Sequence, residues 1–192
     1  MEIIFATNNA HKLEEIQAIV GSHFKLLSLN DIGFNEEIPE TQPTIEGNAL
    51  QKAEYIFERF NKPVFADDTG LEVKVLNGEP GVYSARYAGP NCSFSDNVNL
   101  LLQNLKSKKD RSARFKTVIA LKMSAHKSEF FEGKIDGVIT EKLSGKGGFG
   151  YDPIFLPVGF KETFSEMSPQ AKNEISHRGL ATQKLVNFLK TL

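Results

Sequence analysis

Two adjacent carboxylates, Asp67 and Asp68, follow a short apolar run in the segment PVFADDTGLE at residues 63–72. Like charges at neighbouring positions repel each other, so water, a basic side chain or a metal ion must compensate them. A carboxylate at the end of a strand, next to the hydroxyl of Thr69 and a glycine that permits close backbone approach, suits a Mg²⁺ ion that keeps several of its waters. A water activated there would be a nucleophile. The alternative interpretation is a turn that Asp67 caps, with Asp68 in solvent.

A second candidate site is the segment TNNAHK at residues 7–12, which lies between an apolar run and apolar residues at helical spacing. Small polar side chains and backbone N–H groups at the N-terminus of a helix bind anions, and Lys12 adds a positive charge. The segment therefore indicates a phosphate-binding turn. The alternative is that its asparagines only cap the helix.

Glu40 lies in the loop PETQPT at residues 39–44, and Lys52 lies in the helix predicted after it. Apolar residues at positions 49, 53, 56, 57 and 60 define the buried face of this helix. Lys52 points away from that face, so we expect it at the surface. The carboxylate of Glu40 is either solvated, as is usual in such loops, or part of a ligand site.

The loop GKGGFGYDP at residues 145–153 has four glycines within six positions, so it forms no regular element. Phe149 is available there to stack on a planar ligand such as a nucleobase. The loop matches neither of the common glycine-rich phosphate or dinucleotide motifs. The segment KNEISHRG at residues 172–179 offers mainly hydrogen-bond donors, which suit phosphate oxygens and the carbonyl edges of a base. Its alternative interpretation is the basic start of a helix.

The composition is that of one soluble globular domain over residues 1–192. The 23 basic and 24 acidic residues give a net charge of -1, which argues against a nucleic-acid binder that relies on a broad basic field. Cys92 is the single cysteine, so there is no intrachain disulfide, and this fits a reducing cytosol. Neither a signal peptide nor an apolar run of membrane-spanning length is found. We expect a cytoplasmic protein without membrane contact.

Predicted strands and helices alternate in the first half of the chain, and residues 115–123 and 129–139 predict a β-hairpin. A half-exposed strand is expected from Leu71 to Val75, after a turn at the two aspartates. Ser95 is the expected N-cap of a helix that carries apolar residues at positions 98, 101, 102 and 105. This order predicts an α/β fold, with mixed α+β features, around a mixed sheet.

The five segments together resemble the inosine triphosphate pyrophosphatases, also called dITP/XTP or non-standard purine nucleoside triphosphate pyrophosphatases. The matching stretches are TNNAHK, GNALQKA, FADDTGLEV, PGVYSARYAG, GGFGYDPIF and ISHRG, and they span nearly the whole chain in the order of the family. The resemblance implies an elongated central mixed sheet with flanking helices, two lobes around a nucleotide cleft, and a homodimer. It also implies Mg²⁺-dependent hydrolysis of a purine nucleoside triphosphate to the monophosphate and pyrophosphate.

The resemblance assigns roles to individual residues. Asp68 matches the catalytic proton acceptor, and Glu40 and Asp68 match the metal-associated carboxylates. The matches to substrate-binding residues are Thr7, Asn8, Asn9, Ala10, His11, Lys12 and Lys52 for the phosphates, Thr69, the base loop Phe149, Gly150, Tyr151 and Asp152, then Lys172, and His177 and Arg178 at the base edge.

Two other functions fit the same residues. One is a house-cleaning pyrophosphatase for other modified nucleotides, such as modified pyrimidines, although the SHR segment favours purines. The other is a nucleotide sensor without hydrolysis, which leaves Glu40 and Asp68 without a task. RNA binding is disfavoured by the near-zero net charge.

Overall fold

The computed structural model describes residues 1–21 and 24–192. Within them lie five α-helices: α1 (Ala10–Val20), α2 (Ile45–Phe60), α3 (Phe94–Asn104), α4 (Pro169–Ile175) and α5 (His177–Leu189). The strands are β1 (Glu2–Phe5), β2 (Lys25–Leu27), β3 (Val64–Val73), β4 (Pro80–Gly81), β5 (Ser112–Ser124), β6 (Lys127–Ile139) and β7 (Phe155–Pro157). None of the helices in the described ranges is long and apolar enough to cross a membrane.

The strands form one mixed sheet in the order β2-β1-β3-β5-β6-β7, with the short β4 beside β3. β1 pairs in parallel with β2 and β3, whereas β3 with β4 and β6 with β7 pair antiparallel. The predicted α/β fold with a mixed sheet is thus confirmed. The predicted hairpin is also confirmed, since β5 and β6 are neighbours in the sheet with two residues between them.

β3 differs from the prediction, because it does not end at the two aspartates. The strand runs from Val64 through Asp67 and Asp68 to Val73, and Val75 lies in a short 3₁₀ turn after it. The predicted turn at the aspartates, and the predicted strand as far as Val75, were therefore wrong. The apolar alternation on both sides of the acids belongs to a single strand.

The chain divides into two compact units, each built from segments that are distant in sequence. The first unit consists of Met1–Asp68, Thr117–Gly133 and His177–Leu192. In its core, the rings of Phe5 and Phe65 stack with centroids 4.7 Å apart. Apolar residues of α1 and α5, which contact each other, complete this core. The core therefore supports the part of β3 that carries both aspartates.

The second unit consists of Thr69–Lys116 and Lys134–Ser176. An aromatic cluster of Phe115, Phe155 and Phe164 lies in its core, with centroid separations of 4.6 to 6.1 Å. α3 packs here, and its N-cap is Ser93 rather than the predicted Ser95. Ser93 and Asp96 form a reciprocal capping box, so the cap sits two residues earlier than the apolar spacing indicated. The single domain and the nucleotide cleft stay predictions.

Candidate active site

The side chains of Asp67 and Asp68 leave β3 on opposite faces of the sheet, because successive strand residues alternate. Asp67 therefore meets α1 and α5, whereas Asp68 meets α2. Each carboxylate has its own positive partners, all within the first unit. Basic side chains therefore compensate both of the adjacent negative charges.

Asp67 is fully buried between two cations. Lys12 Nζ lies 3.0 Å from Asp67 Oδ2, and Arg178 Nε lies 3.2 Å from the same oxygen. Arg178 Nη1 donates to Glu15 Oε2 at 2.5 Å, so two acids and two bases form one compensated cluster. Burial favours the neutral acid, but Lys12 and Arg178 outweigh burial and hold the pKa of Asp67 well below its ordinary value.

The same cluster shifts its two cations in opposite directions. Burial lowers the pKa of Lys12, although the carboxylate of Asp67 opposes the shift. For Arg178 burial acts in the same direction, but Asp67 and Glu15 outweigh it and raise the pKa. Arg178 is therefore a charged, buried anchor in this structure, and its predicted contact with a base edge stays a prediction.

Asp68 faces a different environment on the other side of β3. Asn48 Nδ2 donates to Asp68 Oδ2 at 3.3 Å, and Lys52 Nζ lies 3.5 Å from Asp68 Oδ1. Lys52 also donates to Glu40 Oε1 at 2.5 Å. Burial raises the pKa of the Asp68 carboxyl, and Lys52 and Lys12 only partly offset the effect. A buried carboxylate with a raised pKa is a stronger base than one in solvent.

Lys52 does not lie at the surface, so that prediction was wrong. Its residue exposure is 5%, because the buried face of α2 is wider than the apolar stripe and includes the polar residues one turn apart at 48 and 52. Burial alone would lower the pKa of Lys52, but Asp68, Glu40 and Asp67 together raise it. The lysine is buried because carboxylates surround its ammonium group.

The segment at residues 7–12 forms the start of α1. Asn9 is the N-cap and accepts from Lys12 N at 3.2 Å, while Thr7 Oγ1 accepts from Asn9 N. Capping, one of the two interpretations of this segment, is therefore confirmed for Asn9. Ala10 and His11 are exposed in the first helical turn. Asn8 lines an open pocket of about 540 Å³ together with Glu37, Ile38, Pro39 and Glu40.

Glu40 and Asp68 are the carboxylates that could hold a divalent cation. They flank the same ammonium group of Lys52, at 2.5 and 3.5 Å. No group of three acidic, histidine or cysteine side chains arranged for a metal occurs in the described part of the chain. Two carboxylates fit Mg²⁺, which takes one or two of them and completes its shell with water and substrate phosphates.

In the second unit, the glycine-rich loop carries Phe149 against a buried ion pair. Lys172 Nζ lies 2.6 Å from Asp152 Oδ2 and 4.9 Å from the centroid of the Phe149 ring. The same oxygen of Asp152 accepts from Phe149 N at 2.9 Å. The ring of Phe94 is also close, with its centroid 6.0 Å from that of Phe149. The loop, the acid and the lysine thus fix one aromatic ring.

Gly148 is required for this arrangement. Its φ is +72°, and a Cβ atom there would lie 2.2 Å from Asp152 Oδ2. Real atoms never approach so closely, so any side chain at 148 would push the acid away from Phe149 and Lys172. Ser165 also holds the loop, since Ser165 Oγ donates to Gly147 O at 2.5 Å.

The remaining predicted residues lie in different surroundings. Tyr151 is buried in the core of the second unit, and its hydroxyl donates to Ser84 O at 2.8 Å. Burial raises the pKa of Tyr151. Gly150 precedes it with φ +62°, and Thr69 is half-buried on β3. His177 begins α5 in the first unit. Its carbonyl oxygen lies close to Gly133, because a Cβ atom added at Gly133 would be only 2.0 Å from this oxygen.

Three residues of these clusters were not predicted. Glu15 binds Arg178, Asn48 binds Asp68, and Phe94 faces Phe149. A signal existed only for Asn48, which lies one helical turn before Lys52 and beside the apolar stripe of α2. Glu15 and Phe94 are distant in sequence from their partners, so no local pattern identifies them.

Comparison with known proteins decides the family. A model of the Ham1 family matches residues 3–188. The chain belongs to the Ham1 family. The Ham1-family match therefore covers the sheet, both clusters around the aspartates, the glycine-rich loop and nearly all of α5.

Relatives within the family are similar over their whole length. The dITP/XTP pyrophosphatase of Flavobacterium johnsoniae is 51% identical over 98% of each chain. Two solved structures share the fold: the Ham1 protein of Staphylococcus aureus, with a TM-score of 0.90 and 39% identity over 100% of this chain and 99% of that one, and a HAM1 protein from Coxiella burnetii, with a TM-score of 0.92 and 36% identity over 100% of both.

Proposed function

We propose that the protein is a nucleoside triphosphate pyrophosphatase. It hydrolyses non-standard purine nucleotides (ITP, dITP and XTP) to the monophosphate and pyrophosphate, and so removes them from the nucleotide pool. The observation that carries this proposal is the buried carboxylate of Asp68, held by Asn48 and Lys52 beside Glu40. This arrangement occurs in a chain that is 51% identical to a dITP/XTP pyrophosphatase.

Asp68 is the proposed proton acceptor. Its carboxylate takes the proton of the water that attacks the α-phosphorus, directly or through a second water. Burial makes the carboxylate more basic than one in solvent, and Lys52 keeps it charged. The leaving pyrophosphate carries several negative charges, which Lys12, Lys52 and Lys172 neutralise together with the N-terminal turn of α1.

Mg²⁺ is the proposed cofactor, and Glu40 and Asp68 would hold it. The ion, when bound, neutralises phosphate charge and orders water near the phosphates. The support is the donor set itself: two carboxylates beside one ammonium group, next to an open pocket that Glu40 and Asn8 line. In sites that bind nucleotides, Mg²⁺ usually takes one or two carboxylates from the protein and further oxygens from the substrate phosphates.

The second unit supplies the proposed stacking ring for the base, and the first unit carries the proposed donors His177 and Arg178. Phe149, fixed by Asp152, Lys172 and Gly148, offers a ring face on which any base can stack, for about 1 to 3 kcal/mol. Stacking does not discriminate between bases. Donors from His177 or Arg178 would favour the oxygen at purine position 6 over an amino group, and a site of buried donors rejects a mismatch by roughly 10⁴-fold.

Assembly and location complete the proposal. The family resemblance supports a homodimer. The single cysteine fits a reducing compartment and supports a location in the cytoplasm. Sedimentation of the purified protein tests the dimer, with the mass of one chain as the contradicting result.

The decisive experiment is steady-state release of pyrophosphate from ITP, XTP, dITP, GTP and ATP with Mg²⁺, and with EDTA as the control. We expect turnover of the first three, much slower turnover of ATP, which carries an amino group at purine position 6, and none with EDTA. GTP has the same 6-oxygen as ITP, so slower turnover of GTP would indicate a contact that rejects its 2-amino group. Binding of ITP without product would instead indicate a nucleotide sensor. Equal rates on all five would contradict base selection but not the phosphate chemistry.

A further inference from the structure

In the first unit, the loop that carries Glu40 is held by the helix that follows it. Three consecutive loop residues each contact one side chain of α2: Glu40 with Lys52, Thr41 with Gln51, and Gln42 with Asn48. Thr44 then caps the helix by accepting from Gly47 N at 3.0 Å. As the residue number increases along the loop, the number of the partner on α2 decreases. The loop therefore folds back along α2, and the contacts are nested.

Asn48 is the member of this set that also reaches the proposed catalytic carboxylate. Asn48 Oδ1 accepts from Gln42 N at 2.9 Å, and Asn48 Nδ2 donates to Asp68 Oδ2 at 3.3 Å. A backbone N–H can only donate and a carboxylate can only accept, so both contacts require the same orientation of the amide. The side chain is fully buried. One amide therefore joins the loop to Asp68.

We propose that Asn48 is a positioning residue that sets the plane of the Asp68 carboxylate and ties it to the loop of Glu40. The inference rests on the proposed function, because it takes Asp68 as the proton acceptor. Asn48 and Lys52 lie one turn apart on α2, and each contacts a different oxygen of Asp68. Two contacts from one rigid helix fix the rotation of a carboxylate, whose terminal torsion is otherwise broad.

The close approach of the loop to α2 depends on Gly47. A Cβ atom at this position would lie 2.8 Å from Gln42 Cβ, which is shorter than real contacts. Gly47 thus lets Gln42 come near enough for its backbone N–H to reach Asn48. Catalysis is sensitive to such placement, since a misplacement of about 1 Å can cost on the order of a hundredfold in rate.

Two variants of Asn48 separate the two contacts. Asn48→Asp keeps the oxygen that accepts from Gln42 N, but it replaces the N–H that donates to Asp68 by a second carboxylate oxygen, which repels Asp68. Asn48→Ala removes both contacts without adding a charge. We expect kcat to fall roughly 10- to 100-fold in both, with KM changed mainly in Asn48→Ala. Gln51→Ala is the matched control, because it removes two contacts between α2 and the same loop but touches no part of Asp68. Its kcat should stay within about threefold of the wild type.

A double-mutant cycle on the single-turnover rate constant tests whether Asn48 acts through Asp68. In single-turnover reactions with excess enzyme, Asn48→Ala should add no more than about twofold to the loss caused by Asp68→Ala. An equal fold-loss in both backgrounds, a kcat of wild-type size in Asn48→Asp, or a loss in Gln51→Ala as large as in Asn48→Ala would each overturn the proposal. Thermal unfolding of every variant identifies a misfolded one, and Asn48→Asp keeps the test open if Asn48→Ala does not fold.

The outcomes also distinguish this inference from the proposed function. A wild-type protein that releases no pyrophosphate from ITP overturns both. A wild-type protein that is active, with an inert Asp68→Ala variant and additive losses in the cycle, overturns only the role of Asn48. Near-full activity of Asp68→Ala would show that the Asp68 carboxylate is not needed. The proposed role of Asn48 in positioning it would then be overturned as well.

Discussion

At the scale of single residues, Asp67 and Asp68 show how neighbours of the same type acquire different chemistry. The alternation of β3 turns them to opposite faces, where Asp67 meets Lys12 and Arg178 and Asp68 meets Asn48 and Lys52. The pKa of Asp67 is lowered and that of Asp68 is raised. Two titratable groups whose environments separate their pKa values commonly divide their roles. This difference supports the proposal that Asp67 holds the cluster together and that Asp68 accepts the proton.

Asp68→Asn should remove the proton acceptor while keeping the shape of the side chain. We expect kcat for ITP to fall by roughly 10² to 10⁴, because this is the usual contribution of an acid–base group. Pyrophosphate release measures the change, and thermal unfolding provides the control for folding. A variant with near-full turnover in the presence of Mg²⁺ would contradict the assignment.

Asp67→Asn should act on stability more than on turnover. The variant removes the acid that Lys12 and Arg178 both contact, and breaking a buried ion pair from one side costs about 3 to 5 kcal/mol. Urea denaturation at pH 7 measures the loss in the free energy of unfolding. The division of roles is wrong if Asp67→Asn loses more kcat than Asp68→Asn and keeps wild-type stability.

The lowered pKa of Asp67 also predicts how stability depends on pH. The unfolded chain has an aspartate pKa of about 3.9, and the folded value lies well below it. A lowered folded pKa stabilises the protein above the unfolded pKa, and this stabilisation is lost as pH falls below about 4 toward the folded pKa. The difference in unfolding free energy between wild type and Asp67→Asn should therefore narrow between pH 5 and pH 3. A difference that stays constant over this range would contradict the prediction.

At the scale of elements, the sequence correctly predicted the helices and strands whose apolar or β-branched residues form a regular pattern. The apolar stripes of α2 and α3 and the β-branched runs of β5 and β6 locate these elements, since local pattern and tertiary burial agree there. β3 was divided in two because adjacent acids resemble a turn in sequence. Lys52 was placed at the surface because its partners Glu40 and Asp68 come from other segments. Long-range ion pairs leave no local pattern.

The glycine-rich loop offers a test at this scale. Gly148→Ala should raise KM for ITP about tenfold or more, because the new Cβ would collide with Asp152 and displace Phe149. Gly159→Ala is the matched control: its φ of +87° carries a similar backbone cost of about 1 to 2 kcal/mol, but nothing lies within 4 Å of the new atom. Similar KM values in the two variants would contradict the role of Gly148.

At the scale of the whole molecule, the charges are numerous but locally compensated. The net charge is -1, and the buried lysines and arginine of both units lie against carboxylates. A net charge near zero argues against a broad positive field that would attract nucleic acid. Recognition of a polyanion such as a triphosphate therefore depends on a few placed groups rather than on long-range attraction.

Compensated charges predict a weak dependence of turnover on salt. Between 50 and 300 mM KCl, at constant free Mg²⁺, kcat/KM for ITP should fall by no more than about fivefold, because buried pairs are screened little and the net field is small. Inert crowding agents or a neutral osmolyte at equal osmolarity control for effects other than ionic strength. A fall of a hundredfold or more would indicate steering by a field that the composition does not show.

The nested contacts between residues 40–44 and α2 bear on which insertions and deletions the protein can accept. Surface loops usually tolerate extra residues, because the entropy of closing a loop grows slowly with its length. Here Glu40, Thr41 and Gln42 each have a partner at a fixed position on a rigid helix. One residue inserted between Glu40 and Gln42 would shift these residues relative to α2, so at least one of the contacts would be lost. The length of this loop is therefore as much a part of the site as its carboxylate, and variation in length belongs elsewhere, for example in the turn between β5 and β6.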